Sequence, residues 1–148
     1  MKLDRNFIGY EFPLSEISIT QWEIAQFANA IRDFNPIYYN LNEAKKQGFK
    51  DIPCPPTFYT KFTFSGDKNF FATLGIDYKK LLDGGREYKY YSPCFAGDNI
   101  IYQTKVQSID EKEGKRGKMD VVIAVTTGKN KETKEKLWDS ICTFIVFH

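Results

Sequence analysis

From Arg86 onward, apolar residues recur at every second position rather than every third or fourth. Arg86–Ser92 sets Glu87 and Lys89 against Tyr88 and Tyr90, and Asn99–Ser108 alternates Ile100, Tyr102, Thr104 and Val106. Met119–Thr127 and Leu137–Phe147 continue the same way. A period of two sends successive side chains to opposite faces of a strand. Gly97-Asp98, Glu111–Lys118 and Gly128–Lys136 interrupt it with turn formers and charges. The pattern predicts an antiparallel meander with two charged hairpin loops. A meander half buried along its length needs apolar elements against one face, and the first half of the chain must supply them.

That half reads as helical. Residues 6–19 predict an opening strand or extended arm broken at Pro13. Thr20-Gln21-Trp22-Glu23 is a capping box: the Thr20 hydroxyl accepts from the third helical amide while Glu23 reaches back. Ile24, Phe27, Ala28 and Ile31 follow at helical spacing, predicting a helix over 20–32 that Pro36 cannot continue. Asn42–Gly48 reads as a short helix capped by Asn42 or Asn40 and ended by glycine. Thr57 to Phe64 predicts a buried helix with Phe58 and Phe62 on one face, and the chain extends or follows that helix through Phe70, Phe71 and Leu74 before turning at Gly75 and Gly84-Gly85. Helices followed by a strand meander define an α+β domain.

The 148 residues suit a single domain over 1–148, with 42% apolar residues to fill one core and 27% charged ones to solvate it. A net charge of +2 argues for neither nucleic acid nor a membrane surface. The 13 Phe and 9 Tyr favour a thick apolar core or a channel for an apolar ligand. Three cysteines without paired spacing suggest no disulfide framework. With a start that carries acid and lacks an apolar run, and with no stretch of membrane-spanning length, the expectation is a cytoplasmic protein.

Two runs concentrate the unusual chemistry. Ala30-Ile31-Arg32-Asp33-Phe34-Asn35-Pro36-Ile37-Tyr38-Tyr39 places an acid, an amide, a proline and two phenols where the capped helix stops. Ile52-Pro53-Cys54-Pro55-Pro56-Thr57-Phe58 opens the next helical stretch. On local grounds alone, Asp33 and Asn35 read as caps of a helix end. Tyr38, Tyr39, Phe58 and Tyr59 read as core aromatics with phenols at an edge. Cys54, Cys94 and Cys142 read as small buried residues with no neighbouring histidine to suggest a metal or a thiolate pair.

In order, Phe7-Ile8-Gly9, the capped helix, Asp33-x-Asn35-Pro36-Ile37, Ala44 before Gly48-Phe49, the proline run and Pro93-x-x-x-Gly97-Asp98 resemble the MaoC-like (R)-specific hydratase/dehydratase family. The likeness is to its N-terminal MaoC-like dehydratase type and to non-catalytic subunits of heterodimeric (R)-3-hydroxyacyl dehydratases. It implies a hot-dog fold, a central helix wrapped by a curved antiparallel sheet. It also implies an acyl thioester of CoA or acyl carrier protein as ligand, and a homodimer or a heterodimer with a catalytic MaoC-like subunit. Neither cofactor nor metal is implied.

The family signature is Asp-x-Asn-Pro-(apolar)-His. Asp33, Asn35 and Pro36 match it, whereas Tyr38 stands at the histidine position. The resemblance therefore makes Asp33, Asn35 and Tyr38 a degenerate catalytic set, and Pro56, Thr57, Phe58, Tyr59 and Phe62 the acyl-binding residues. A phenol titrating near ~10 is ionised in roughly one molecule per thousand at pH 7, so using it as a base costs about 4 kcal/mol. Active relatives place a glycine N–H in the oxyanion hole where this chain has Pro55-Pro56, and proline has no N–H to donate. The implied function is an acyl-binding subunit of a dehydratase or enoyl hydratase, lacking a complete site of its own. The alternatives are an independent hydratase or thioesterase using Asp33 and Tyr38, and a non-enzymatic acyl-CoA binding protein.

Overall fold

The computed structural model describes residues 2–66 and 68–148. Its strands are β1 (Ser15–Ser18), β2 (Leu81–Tyr90), β3 (Asn99–Gly114), β4 (Gly117–Asn130) and β5 (Lys136–Phe147). All pair antiparallel in one sheet of order β1-β3-β4-β5-β2. The alternating stretches thus became the strands expected, but three breaks fell elsewhere.

Glu111–Lys118, expected as a loop, is mostly strand. Glu111 pairs with Asp120, Lys112 with Met119 and Glu113 with Lys118, and only Lys115-Arg116 turn between Gly114 and Gly117. The period of two persists there, written in charges because both faces meet water. Gly128 likewise lies inside β4, opposite Trp138, so the second hairpin turns over residues 131–135. Gly84-Gly85, expected as a turn, sits within β2 as a bulge between Asp83 and Gly85. The Asp83 carboxylate accepts from the Gly85 N–H at 2.9 Å, and a Cβ at Gly84 would lie 2.9 Å from Thr143 of the neighbouring strand.

The helices are α1 (Gln21–Ala30), α2 (Leu41–Lys46) and α3 (Phe70–Thr73). Thr20 and Glu23 form the expected capping box on α1, and Asn40 rather than Asn42 caps α2. The buried helix expected from Thr57 is only a 3-10 stretch, Phe58–Phe62, and of the two expected continuations the chain takes the second, with α3 following as a separate helix. Side chains take the carbonyls that would continue it. The Thr63 hydroxyl donates to Thr60 O at 2.6 Å, and the Thr126 hydroxyl donates to Thr63 O at 2.5 Å.

Two apolar clusters lie against the sheet. One joins Ile24 and Ala28 of α1 with Tyr38, Phe58, Tyr59, Phe62 and Trp138; the other joins Phe12, Phe70 and Leu74 with Val106, Val122 and Phe144. A buried polar seam separates them at mid-strand. Ser65 and Thr104 exchange backbone-to-hydroxyl hydrogen bonds at 2.9 and 2.7 Å, and the hydroxyls of Thr104 and Thr126 lie 2.8 Å apart. Each member has a partner, so the seam fixes register without leaving buried polar groups unmet. At the far end Asp120, fully buried on β4, accepts from Leu3 N–H and from the Arg5 guanidinium, and His148 Nε2 stands 3.3 Å away. Both ends of the chain are thereby tied to one carboxylate. No helix among the described residues is long and apolar enough to cross a membrane.

Candidate functional site

The first run folds into a sequence of local caps. Arg32 N–H donates to Asn29 O and Asp33 N–H to Ala28 O, closing α1 in a Schellman arrangement with Arg32 at a φ of 56°. Asp33 Oδ1 then accepts from Asn35 N–H at 3.1 Å, and Asn35 Oδ1 accepts from Ile37 N–H at 3.2 Å. Pro36 starts a 3-10 turn, Pro36–Tyr38, and the Tyr39 hydroxyl donates to Asp33 O at 2.8 Å. Asp33 is half-buried and Asn35 exposed, while Tyr38 is carried into the core beside Ile24 and Phe58. Burial pushes the Tyr38 phenol up, and the charge of Asp33 and the neighbouring Cys54 push in the same direction. The Tyr38 phenol is therefore held protonated at neutral pH.

The second run makes a wall. Pro53 bridges Phe95 in antiparallel fashion, and Cys54 N–H donates to Cys94 O at 2.9 Å. Proline at 55 and 56 leads into the 3-10 stretch, which delivers Tyr59 onto Trp138 with ring centroids 4.5 Å apart. Facing this wall is the end of β2 and the residues after it. Together Cys54, Pro56, Tyr59, Tyr90, Tyr91, Ser92 and Pro93 line an open pocket of about 290 Å³. The Tyr90 hydroxyl donates to Pro56 O at 2.6 Å, pinning the two walls. The Tyr91 hydroxyl donates to Asp139 at 2.9 Å, a buried carboxylate that also takes Thr127 and Lys136. Burial opposes ionisation of Asp139, but these three donors outweigh it and hold the group below its usual range. Burial raises the Tyr59 phenol as well and keeps it neutral.

The residues singled out in the sequence thus divide. Pro56 and Tyr59 line the pocket. Tyr38, Phe58 and Phe62 are packed in the cluster behind it, with Phe58 and Phe62 edge to face at 5.7 Å. Thr57 is exposed at the start of the 3-10 stretch. Asp33 and Asn35 form the adjoining turn and do not line the pocket. The opposite wall, Tyr90 to Pro93, was not singled out as part of the site. Its signal was present in the paired tyrosines that end the alternation of β2 just before a proline.

The family described as FAS1-like, dehydratase domain region, matches residues 6–135. A UPF0336 protein of Streptomyces avermitilis is 32% identical over 117 residues, 77% of this chain and 78% of that protein. A UPF0336 protein of Thermobifida fusca is 30% identical over 134 residues, 88% of each. Among solved structures, a chain of the C-terminally truncated HadBC (3R-hydroxyacyl-ACP dehydratase) complex from Mycobacterium tuberculosis aligns with a TM-score of 0.81 at 20% identity, covering 98% of this chain and 99% of that one. The ChsH1-ChsH2 complex of the same organism gives 0.71 at 16% identity, covering 95% and 98%. A MaoC-like dehydratase from Rhodospirillum rubrum gives 0.71 at 19% identity, covering 95% and 92%. The expected α+β hot-dog fold is the fold present.

Proposed function

The chain belongs to the FAS1-like dehydratase-region family, and on that footing we propose that it is the acyl-thioester-binding subunit of an (R)-3-hydroxyacyl dehydratase or enoyl hydratase. A MaoC-like partner supplies the complete catalytic set. One observation carries the reading: the residue at the catalytic histidine position, Tyr38, is a buried phenol with its pKa pushed up.

Reversible hydration of an enoyl thioester needs a held water, a group that trades protons with it near neutral pH, and amide donors for the enolate-like oxygen. Tyr38 does not trade protons near neutrality, the Asp33 and Asn35 side chains already cap their own turn, and Pro56 offers no N–H. What the chain does offer is a phenol-lined pocket backed by a deep aromatic cluster, a suitable lodging for an acyl chain. The partner docks along the outer edge of β2. This ten-residue strand ends the sheet and exposes Leu82 and Tyr90, an edge that proteins rarely leave uncovered. That two of the similar structures are themselves two-subunit complexes supports the pairing.

Calorimetric titration of the chain, alone and with its partner, with saturated acyl-CoAs of increasing length tests the reading. Burial of about 0.8 kcal/mol per methylene makes affinity climb roughly fourfold per CH₂ until the pocket is full. Affinity flat across chain lengths would mean that the aromatics are core and nothing more.

A further inference from the structure

We infer that the pocket wall formed by Tyr90, Tyr91 and Ser92 selects its ligand by hydrogen-bond direction: the wall accepts, and the ligand donates through amide N–H groups. Each of these hydroxyls has one proton to give and lone pairs to receive with. All three protons are already committed. The Tyr90 hydroxyl donates to Pro56 O at 2.6 Å, and a carbonyl can only accept. The Tyr91 hydroxyl donates to Asp139 Oδ2 at 2.9 Å, and the Ser92 hydroxyl donates to the Glu135 carboxylate. Asp139 is held ionised by its donors, so the direction of the Tyr91 bond is fixed as well.

Backbone donors along the walls are engaged too. Tyr91 N–H and Ser92 N–H both donate to Leu137 O, at 2.9 and 3.3 Å, and Cys54 N–H donates to Cys94 O. Pro56 and Pro93 have no N–H. Lys136, whose ammonium stands 4.5 Å from the centre of the Tyr91 ring, is paired with Asp139 at 2.8 Å. Tyr59 is buried and stacked on Trp138, and the Cys54 thiol is only a weak donor. What Tyr90 and Tyr91, each about half exposed, still offer is oxygen lone pairs. A ligand that brings only acceptors leaves those oxygens unpaired when it displaces water from them, whereas an N–H satisfies one.

The acyl-thioester reading supplies a ligand of that kind, and the inference rests on it. CoA and carrier proteins both present the acyl group on a pantetheine arm, which carries secondary amides. With the arm along Tyr90, Tyr91 and Ser92, the acyl chain takes the opposite wall, where Pro56 and the ring of Tyr59 offer apolar surface. Tyr90, Tyr91 and Ser92 are then specificity-determining residues. They hold the arm in register and take no part in proton transfer.

The experiment titrates the protein calorimetrically with octanoyl-pantetheine and with its analogue in which each amide N–H is replaced by an ester oxygen. Length and carbonyls are unchanged, so only donation is lost. Affinity falls roughly fivefold for each N–H that meets the wall. Tyr90→Phe and Ser92→Ala each bring the ratio of the two affinities closer to one, and a general loss of stability leaves that ratio unmoved. Tyr91→Phe also deprives Asp139 of a donor, which makes the other two the cleaner probes. Equal affinities in the wild-type protein, or a ratio that survives in the Tyr90→Phe/Ser92→Ala double variant, would overturn the inference. Octanoyl-CoA and an octanoyl carrier protein, added as competitors, show which of them brings the arm; displacement by neither also overturns it. Affinity that climbs with acyl length but ignores the N–H replacement removes this inference and leaves the acyl-binding reading standing. A preference for the N–H ligand with affinity flat across acyl lengths keeps the arm site and removes the acyl lodging.

Discussion

Gly128 lies directly against the indole of Trp138, its partner across β4 and β5: a Cβ built at position 128 would stand 2.2 Å from two ring carbons. Trp138 is fully buried and stacks on Tyr59, so the absent side chain lets the sheet hold the aromatic wall of the pocket. Backbone and a wedged ring cannot give way cheaply. Gly128→Ala should destabilise the fold by about 3 kcal/mol, read as a lowered midpoint in urea unfolding followed by tryptophan fluorescence.

Asp120 is the other point where a single residue holds distant parts. Burial opposes its ionisation, but Arg5, Leu3 N–H and His148 together hold its carboxyl below the usual range. Removing the charge leaves Arg5 without its partner, and Asp120→Asn should cost about 3 kcal/mol. A depressed folded-state pKa means that the stabilisation is present above the ordinary carboxylate value and is lost as pH falls through the folded one. Wild-type stability should therefore decline on acidification below about pH 4, and the decline should be shallower in Asp120→Asn. Urea midpoints measured across the acid range check both points.

Arg32 closes α1 in the left-handed region with its side chain exposed. Glycine adopts that geometry without the Cβ clash, worth about 1 kcal/mol. Arg32→Gly should raise the thermal midpoint, whereas Arg32→Val should lower it.

Much of this was legible because its causes are local. The Thr20–Glu23 capping box and the Asn40 cap are satisfied within a few residues, and alternating apolar positions mark the strands wherever one face is dry. What misled were residues whose roles depend on a neighbouring strand. Gly84-Gly85 and Gly128 look like turns in sequence, yet Gly84 and Gly128 are places where Thr143 and Trp138 press on the backbone. Nothing local marks the stretch after Phe62 as unable to continue a helix, because the hydroxyl that takes Thr63 O belongs to Thr126 on β4. The pocket was half legible for the same reason. Pro56 and Tyr59 stood out, but Tyr90 to Pro93 reach them only through the pairing of β2 with β5.

The acyl-binding reading gives the aromatic cluster a graded role. Phe58→Leu and Phe62→Leu preserve apolar character while emptying ring volume behind Tyr59. Each should cost about 1.5 kcal/mol of stability, and should shift the preferred acyl length upward in calorimetric titration. A change in stability without any shift in preference would mark these rings as core alone.

The central claim, a binding subunit without a complete site of its own, is tested most directly by hydration of crotonyl-CoA. Turnover is followed for the purified chain, for its Tyr38→His variant, and for the chain co-purified with a MaoC-like partner from its native host. The account predicts background rates for the chain alone, little gain from Tyr38→His because Pro56 still lacks an N–H, and full turnover only with the partner. Robust hydration by the unaccompanied wild-type chain, abolished by Asp33→Ala, would contradict it.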